Sequence, residues 1–271
     1  MQIIDFHTHL DDRWLNQTLP SETEFLQTLD RFHIEVACIF TLQGFYGDCR
    51  RHNDLLAARA QRHPNRLVPF ATVDPKLGGE AIGELERCLA NPQFRGVKFH
   101  PWLQAFAPSM VRPTMIELMK VAARYQCPVL FHDGTPPYST TFQIAEVARW
   151  VPEATIVLGH AGLSDYTLAA AQLVRDTPNL YACVCGPRAG HVAYLVEIAG
   201  ADKVLFGSDF GFADWTILAE FLDNVCEANI DEQLLARILY QNASRLLRFE
   251  ERPLAASAHP SVTKEHVLSA R

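Results

Sequence analysis

Residues 3 to 9 read Ile3-Ile4-Asp5-Phe6-His7-Thr8-His9, a short apolar strand that ends in two histidines one residue apart. Successive strand side chains point to opposite faces, so simple alternation predicts that His7 and His9 project the same way, with Asp5 beside them. Two imidazoles aimed at one point can hold a metal ion. A His-x-His pair also arises as surface decoration in a chain with 11 histidines, so its meaning depends on what the rest of the chain brings next to it.

Seven more apolar, β-branched-rich runs follow, at 36–41, 67–73, 96–100, 129–132, 155–160, 180–185 and 204–209. Most are nearly continuous in hydrophobicity, the pattern of parallel strands covered on both faces. Amphipathic stretches lie between them. Ser21-Glu22-Thr23-Glu24 opens a helix with a capping box, and Thr114 to Glu117 repeats the spacing. Helical periodicity continues at 53–62, 79–89, 142–150, 166–175, 191–198, 215–226 and 231–247. Eight strand–helix units in this length predict a (β/α)8 TIM barrel, a single domain over 1–249. The rival, an open doubly wound sheet, usually carries a Gly-rich phosphate turn after its first strand, where this chain has His7-Thr8-His9-Leu10. Residues 250–271 lose periodicity and read as a C-terminal tail.

Bulk composition agrees with a globular enzyme-sized chain. The 271 residues are 48% hydrophobic and 20% charged, enough to bury a sizeable core. Net charge is −7 with no dense Lys/Arg run, which argues against a nucleic-acid partner. Neither a signal-peptide pattern nor an apolar run long enough to span a bilayer is legible, so no membrane partner and a cytoplasmic location are expected. Seven cysteines in no disulfide-type pattern fit reduced core thiols, and Cys183-Val184-Cys185 reads as packing within a buried strand.

Polar residues gather at the C-terminal ends of these strands: Lys98 and His100 on the fourth, His132 and Asp133 on the fifth, His160 on the sixth, Ser208 and Asp209 on the eighth. Barrel enzymes build their sites on that rim from several strands. His7, His9 and His132 offer neutral nitrogen donors and Asp209 a carboxylate oxygen, a set suited to one divalent ion, Zn²⁺ first, with Mn²⁺, Fe²⁺ or Co²⁺ acceptable. Such an ion lowers the pKa of bound water to about 7. Asp209 could then take the proton and pass it to a leaving group. His160 is read either as acid/base or carbonyl-polarising group, or as a fourth nitrogen ligand.

Asp5 to His9, Gly96-Val97-Lys98-Phe99-His100-Pro101, Phe131-His132, Gly159 to Gly162, Phe206 to Asp209 and Asn242 to Leu247 together resemble the amidohydrolase superfamily. The resemblance runs in order along the chain. Within the superfamily it is similar to the group that includes aminocarboxymuconate-semialdehyde decarboxylase and related decarboxylases and lactonases. The resemblance implies a metal-dependent barrel with His7, His9, His132 and Asp209 as ligands and His160 near the substrate. It also implies two states for Lys98: carbamylated and bridging a second ion held by His132 and His160, or unmodified beside a single ion. The single-ion state is the expectation. Unmodified Lys98 could pair with a substrate carboxylate, and parity puts His100 on the same interior face.

The loops at the mouth carry Arg13 and Trp14, Phe45 and Tyr46, Trp102 and Phe106, Tyr138, Arg188, and Phe210 with Phe212. Aromatic walls and an arginine fork suit a small, carboxylate-bearing organic substrate, with Trp102 in contact and Arg188 as the carboxylate clamp. The expected activity is hydrolysis of a lactone, cyclic amide or ester through metal-activated water. A non-oxidative decarboxylase using the same ligands is the alternative, and a non-catalytic ligand-binding barrel is a third reading. A nuclease carrying a first-strand His-x-His is disfavoured by the acidic charge. A homo-oligomer through the outer helices is compatible with the sequence.

Overall fold

Each apolar run folds as a strand: β1 Ile4–His9, β2 Val36–Phe40, β3 Leu67–Ala71, β4 Gly96–Phe99, β5 Val129–Phe131, β6 Ile156–Leu158, β7 Leu180–Val184 and β8 Val204–Phe206. They pair in parallel and in chain order. Beyond the ladder, the Asp209 amide donates to the His7 carbonyl at 2.8 Å and the His9 amide to the Phe210 carbonyl at 2.7 Å, joining the last strand to the first. The result is the expected (β/α)8 barrel. The structure is a computed structural model that describes residues 2–250, so the expected tail falls, but for Glu250, outside the described residues.

Helices alternate with the strands: α1 Glu22–Arg31, α2 Cys49–Arg62, α3 Gly79–Ala90, α4 Arg112–Arg124, α5 Thr141–Trp150, α6 Thr167–Asp176, α7 Ala189–Ala199 and α8 Trp215–Cys226. A last stretch, α9 Glu232–Ala236 and α10 Asn242–Leu246, is joined by one π-helical segment, Arg237–Gln241. Among the described residues no helix is long and apolar enough to cross a membrane.

Helix starts follow local chemistry. The Ser21–Glu24 capping box forms, with the Ser21 amide donating to Glu24 at 2.8 Å. The second box does not. Pro113 lacks an amide hydrogen and has φ already set for a helix, so α4 begins at Arg112 and leaves Thr114 inside the first turn. A box that had not been expected, Thr140 with Gln143, opens α5.

Two apolar layers hold the barrel. The outer layer packs strand residues such as Ala37, Ile39, Val97 and Phe206 against the helices. The inner layer, including Ile4, Phe6, Phe40, Phe70, Val157 and Leu205, fills the barrel itself. Phe6 and Phe70 meet edge to face at 5.3 Å, an arrangement worth about 0.5–1.5 kcal/mol beyond the area it buries. Leu247 and Phe249 join this layer, and Arg95, just before β4, donates to the Leu247 carbonyl at 3.2 Å, so the chain after α10 packs at the N-terminal end of the strands.

The first strand departs from simple alternation. Asp5 is in register with Ala37 and Thr8 with Ile39, so Phe6 and His7 together oppose the single residue Cys38. This bulge restarts the alternation. Ile4, Phe6, His7 and His9 all serve the interior, whereas Asp5 sits in the register of the outer layer. The expectation that Asp5 points with the two histidines is therefore corrected: its carboxylate accepts from the backbone amides of His7 and Ser208, both at 3.1 Å.

Candidate active site

The strands stop short of the polar residues. β4 ends at Phe99, β5 at Phe131, β6 at Leu158 and β8 at Phe206, so His100, His132, His160 and Asp209 lie on the first residues of the loops at the C-terminal rim. Asp209 adopts φ +59°, a left-handed conformation that aspartate tolerates better than most residues. That turn carries its carboxylate back over β1.

Asp209 Oδ1 is 3.2 Å from His7 Nε2 and 3.0 Å from His9 Nε2. One donor atom from each of these three residues lies within 4.8 Å of the others. His7, His160 and the Cys185 thiol form a second triple within the same distance. His132 is held apart from both triples. Its Nε2 is bonded to Thr135 Oγ1 at 2.7 Å, and its ring meets His160 at 4.5 Å between centroids.

The backbone decides which histidine nitrogen carries the proton. A carbonyl oxygen only accepts, so His7 Nδ1, 2.9 Å from Gly159 O, and His160 Nδ1, 2.9 Å from Cys185 O, are donors. Burial pushes the imidazoles of His7, His100 and His132 well below the usual histidine range, and those of His9 and His160 below it. Each ring is neutral at pH 7, which leaves an Nε2 lone pair on His7 and on His160. Burial alone would raise the Asp209 carboxyl, but the close approach of the His7 imidazole, then that of His9, opposes this and holds it well below the usual carboxylate range.

A lone pair facing a carboxylate oxygen needs a cation near it. Lys98 supplies one donor: its Nζ lies 3.0 Å from His7 Nε2 and 4.6 Å above the Phe40 ring. Lys98 is fully buried, and burial pulls its pKa down to about 8. His9 Nδ1 is buried with no hydrogen-bond partner. Two imidazole nitrogens and an ionised carboxylate converging in this way fit a divalent ion.

A cavity of about 250 Å³ opens above these groups. His100, His132 and His160 line it on one side, and its walls are apolar, with Trp14, Leu42, Leu103 and Phe212. Trp102 lines the mouth and is 49% exposed. Several expected rim residues are placed elsewhere. Arg188 is exposed, occupies the N-cap position of α7 without a side-chain cap bond, and is not among the residues that line the cavity. Phe106 and Phe210 belong to the outer core, Phe210 stacked on Phe25 at 4.9 Å. Lys98 lies below the cavity and not on its wall.

Two supporting residues were missed as such. Asp133, a strand-end carboxylate in the sequence, faces away from the cavity and accepts from the His160 amide at 2.7 Å, the Gly162 amide at 2.8 Å and the Thr141 hydroxyl at 2.8 Å. Its place directly after His132 was the available signal, since alternation turns it to the opposite face. Gln104 accepts from the His100 amide at 2.9 Å and donates to the Val73 carbonyl at 2.8 Å, and no sequence pattern announced it.

Residues 4–249 match the family model described as Amidohydrolase. No curated relative matches the chain. Among solved structures, the 2,6-dihydroxybenzoate decarboxylase from Rhizobium superimposes with a TM-score of 0.70 at 19% identity, covering 92% of this chain and 100% of that one. A dihydroxybenzoic acid decarboxylase from Polaromonas sp., with bound manganese and the inhibitor 2-nitroresorcinol, gives 0.72 at 18% identity, covering 92% and 97%. The 4-oxalomesaconate hydratase from Rhodopseudomonas palustris gives 0.70 at 15% identity, covering 93% and 98%. At these identities the likeness is one of fold.

Proposed function

This chain belongs to the amidohydrolase family, a metal-dependent enzyme family, and from that premise we propose that it hydrolyses a small organic acid derivative: a lactone, cyclic amide or ester. The observation that carries the reading is the convergence of His7 Nε2, His9 Nε2 and Asp209 Oδ1 below a cavity of about 250 Å³.

His7, His9 and Asp209 would hold one divalent ion, with His132 as fourth ligand once Thr135 releases its Nε2. Zn²⁺ suits the nitrogen and carboxylate donors, and the manganese in the Polaromonas enzyme supports Mn²⁺ as a substitute. Bound there, the ion supplies a Lewis acid that polarises a carbonyl and acidifies water. Asp209, its carboxyl well below the usual range and so ionised at neutral pH, accepts a proton from the attacking water and returns it to the leaving oxygen or nitrogen. His160 acts as an acceptor. Its Nδ1 proton is committed to Cys185 O, so polarising a carbonyl would require an imidazolium that burial opposes. Leu42, Leu103, Trp14 and Phe212 exclude bulk water and present apolar area to a ring.

Decarboxylation of a small aromatic acid is the second reading. Its support is the shared fold with the dihydroxybenzoate decarboxylases and the aromatic cavity wall. Product analysis separates the two. The Zn²⁺-loaded enzyme in H₂¹⁸O should hydrolyse dihydrocoumarin at a catalysed rate and place ¹⁸O in the new carboxylate. Release of CO₂ from 2,6-dihydroxybenzoate, with no catalysed lactone opening, would replace hydrolysis by decarboxylation.

A further inference from the structure

His100 lines the same cavity as His160, yet its backbone partners are reversed. The Leu103 amide donates to His100 Nδ1 at 3.3 Å. An amide can only donate, so Nδ1 must carry the lone pair, and in the neutral ring the proton sits on Nε2. Among the described residues Nε2 has no hydrogen-bond partner, and it is not one of the atoms closed off by burial.

The ring is fixed in place from several sides. Gln104 takes the His100 amide at 2.9 Å and returns its own amide to the His100 carbonyl at 2.9 Å, closing a tight turn over Pro101 to Leu103. The His132 ring stacks on it at 3.8 Å and 13°, and Phe45 meets it at 5.4 Å. Two parallel imidazoles this close repel if both are charged, so the stack also favours a neutral ring.

We propose that His100 is a catalytic residue that donates its Nε2 hydrogen to the substrate's carbonyl oxygen and stabilises the negative charge that develops there. The site thus holds two kinds of neutral histidine. His7 and His160 present lone pairs, and His100 presents a hydrogen. The donor selects substrates with an acceptor oxygen on the His100 side of the cavity. The assignment rests on the hydrolase reading for its substrate, but the tautomer itself does not.

The test has two arms on the Zn²⁺-loaded full chain. In the first, histidine-ring ¹⁵N spectra, with His100→Phe used for assignment, should show an unprotonated Nδ1 and a protonated Nε2 at neutral pH. Addition of 2-tetralone, a ketone that matches dihydrocoumarin in shape and cannot be hydrolysed, should shift the Nε2–H resonance. The opposite tautomer, an imidazolium, or no shift at millimolar 2-tetralone overturns the proposal. In the second arm, His100→Phe keeps a stacking ring without a donor and should lower kcat on dihydrocoumarin about 10²–10³-fold, with KM and bound zinc little changed. His100→Gln, which restores an amide donor, should recover at least about tenfold of that loss. Undiminished kcat in His100→Phe, or loss of zinc from both variants, overturns it. If the unaltered enzyme does not open dihydrocoumarin, the hydrolase reading fails, and the ¹⁵N arm still decides the role of His100.

Discussion

His7 Nδ1 lies 2.9 Å from the carbonyl oxygen of Gly159, so the end of the sixth strand fixes which way the first-strand histidine offers its lone pair. The absence of a side chain at Gly159 permits this. A Cβ there would come 2.6 Å from the Phe131 carbonyl oxygen and 3.1 Å from His7 Cε1. Gly159→Ala should cost about 1–3 kcal/mol of stability. Metal affinity should fall about 10–100-fold through the displaced ring. Gly83→Ala in α3, where nothing lies within 4 Å of the added carbon, is the control and should be neutral or stabilising. Denaturant titration with metal-binding isotherms reads both effects; unchanged affinity in Gly159→Ala would show that the carbonyl does not orient His7.

Asp133 grips the loop that carries His160. Asp133→Ala leaves the amides of His160 and Gly162 without their acceptor, at a cost of about 1–3 kcal/mol each. Turnover should fall while the ion stays bound, because the metal-side triple is untouched. An Asp133→Ala protein that loses its ion and keeps its stability would contradict this division of roles.

His160→Asn should depress kcat more than it depresses metal content, since the role proposed for His160 is that of a proton acceptor and not a ligand. Metal analysis beside steady-state kinetics checks this. Loss of the ion in step with activity would make His160 a ligand.

Lys98 gives a pH signature. Burial brings its folded-state pKa down to about 8 from 10.5, so between those values the unfolded chain holds a proton that the folded chain lacks. Stability contributed by this group therefore rises with pH across 8 to 10.5, by up to about 3 kcal/mol. Lys98→Met removes it. In metal-free protein the unfolding free energy of the parent relative to Lys98→Met should climb over that window, and a flat or falling difference would rule out a neutralised buried lysine.

The barrel was legible because its signal is repeated: eight apolar runs alternate with helical periodicity, and no single run has to be right. The rim was legible because His100, His132, His160 and Asp209 all follow strand ends. What could not be read depends on register or on contacts distant in sequence. The Phe6–His7 bulge moves Asp5 to the outer register, and period-two counting has no means to detect an inserted residue. Pro113 displaces the Thr114 box because a fixed φ outweighs a side-chain cap. Arg188 follows the seventh strand as a site residue would, yet it stands exposed at the N-cap position of α7 and off the cavity lining, and only tertiary placement distinguishes the two. His7, His160 and His100 look alike as letters; their tautomers are set by Gly159, Cys185 and Leu103.

One divalent ion held by His7, His9 and Asp209 is the centre of the proposed site. The most direct measurement is metal stoichiometry by mass spectrometry on dialysed, folded protein, for the parent chain, His7→Ala and Asp209→Asn, with turnover measured on the same samples. The expected result is one equivalent of ion per chain in the parent, and its loss together with turnover in both variants while circular dichroism stays barrel-like. Turnover with the ion still bound in either variant, or an active parent that binds no ion, would contradict it.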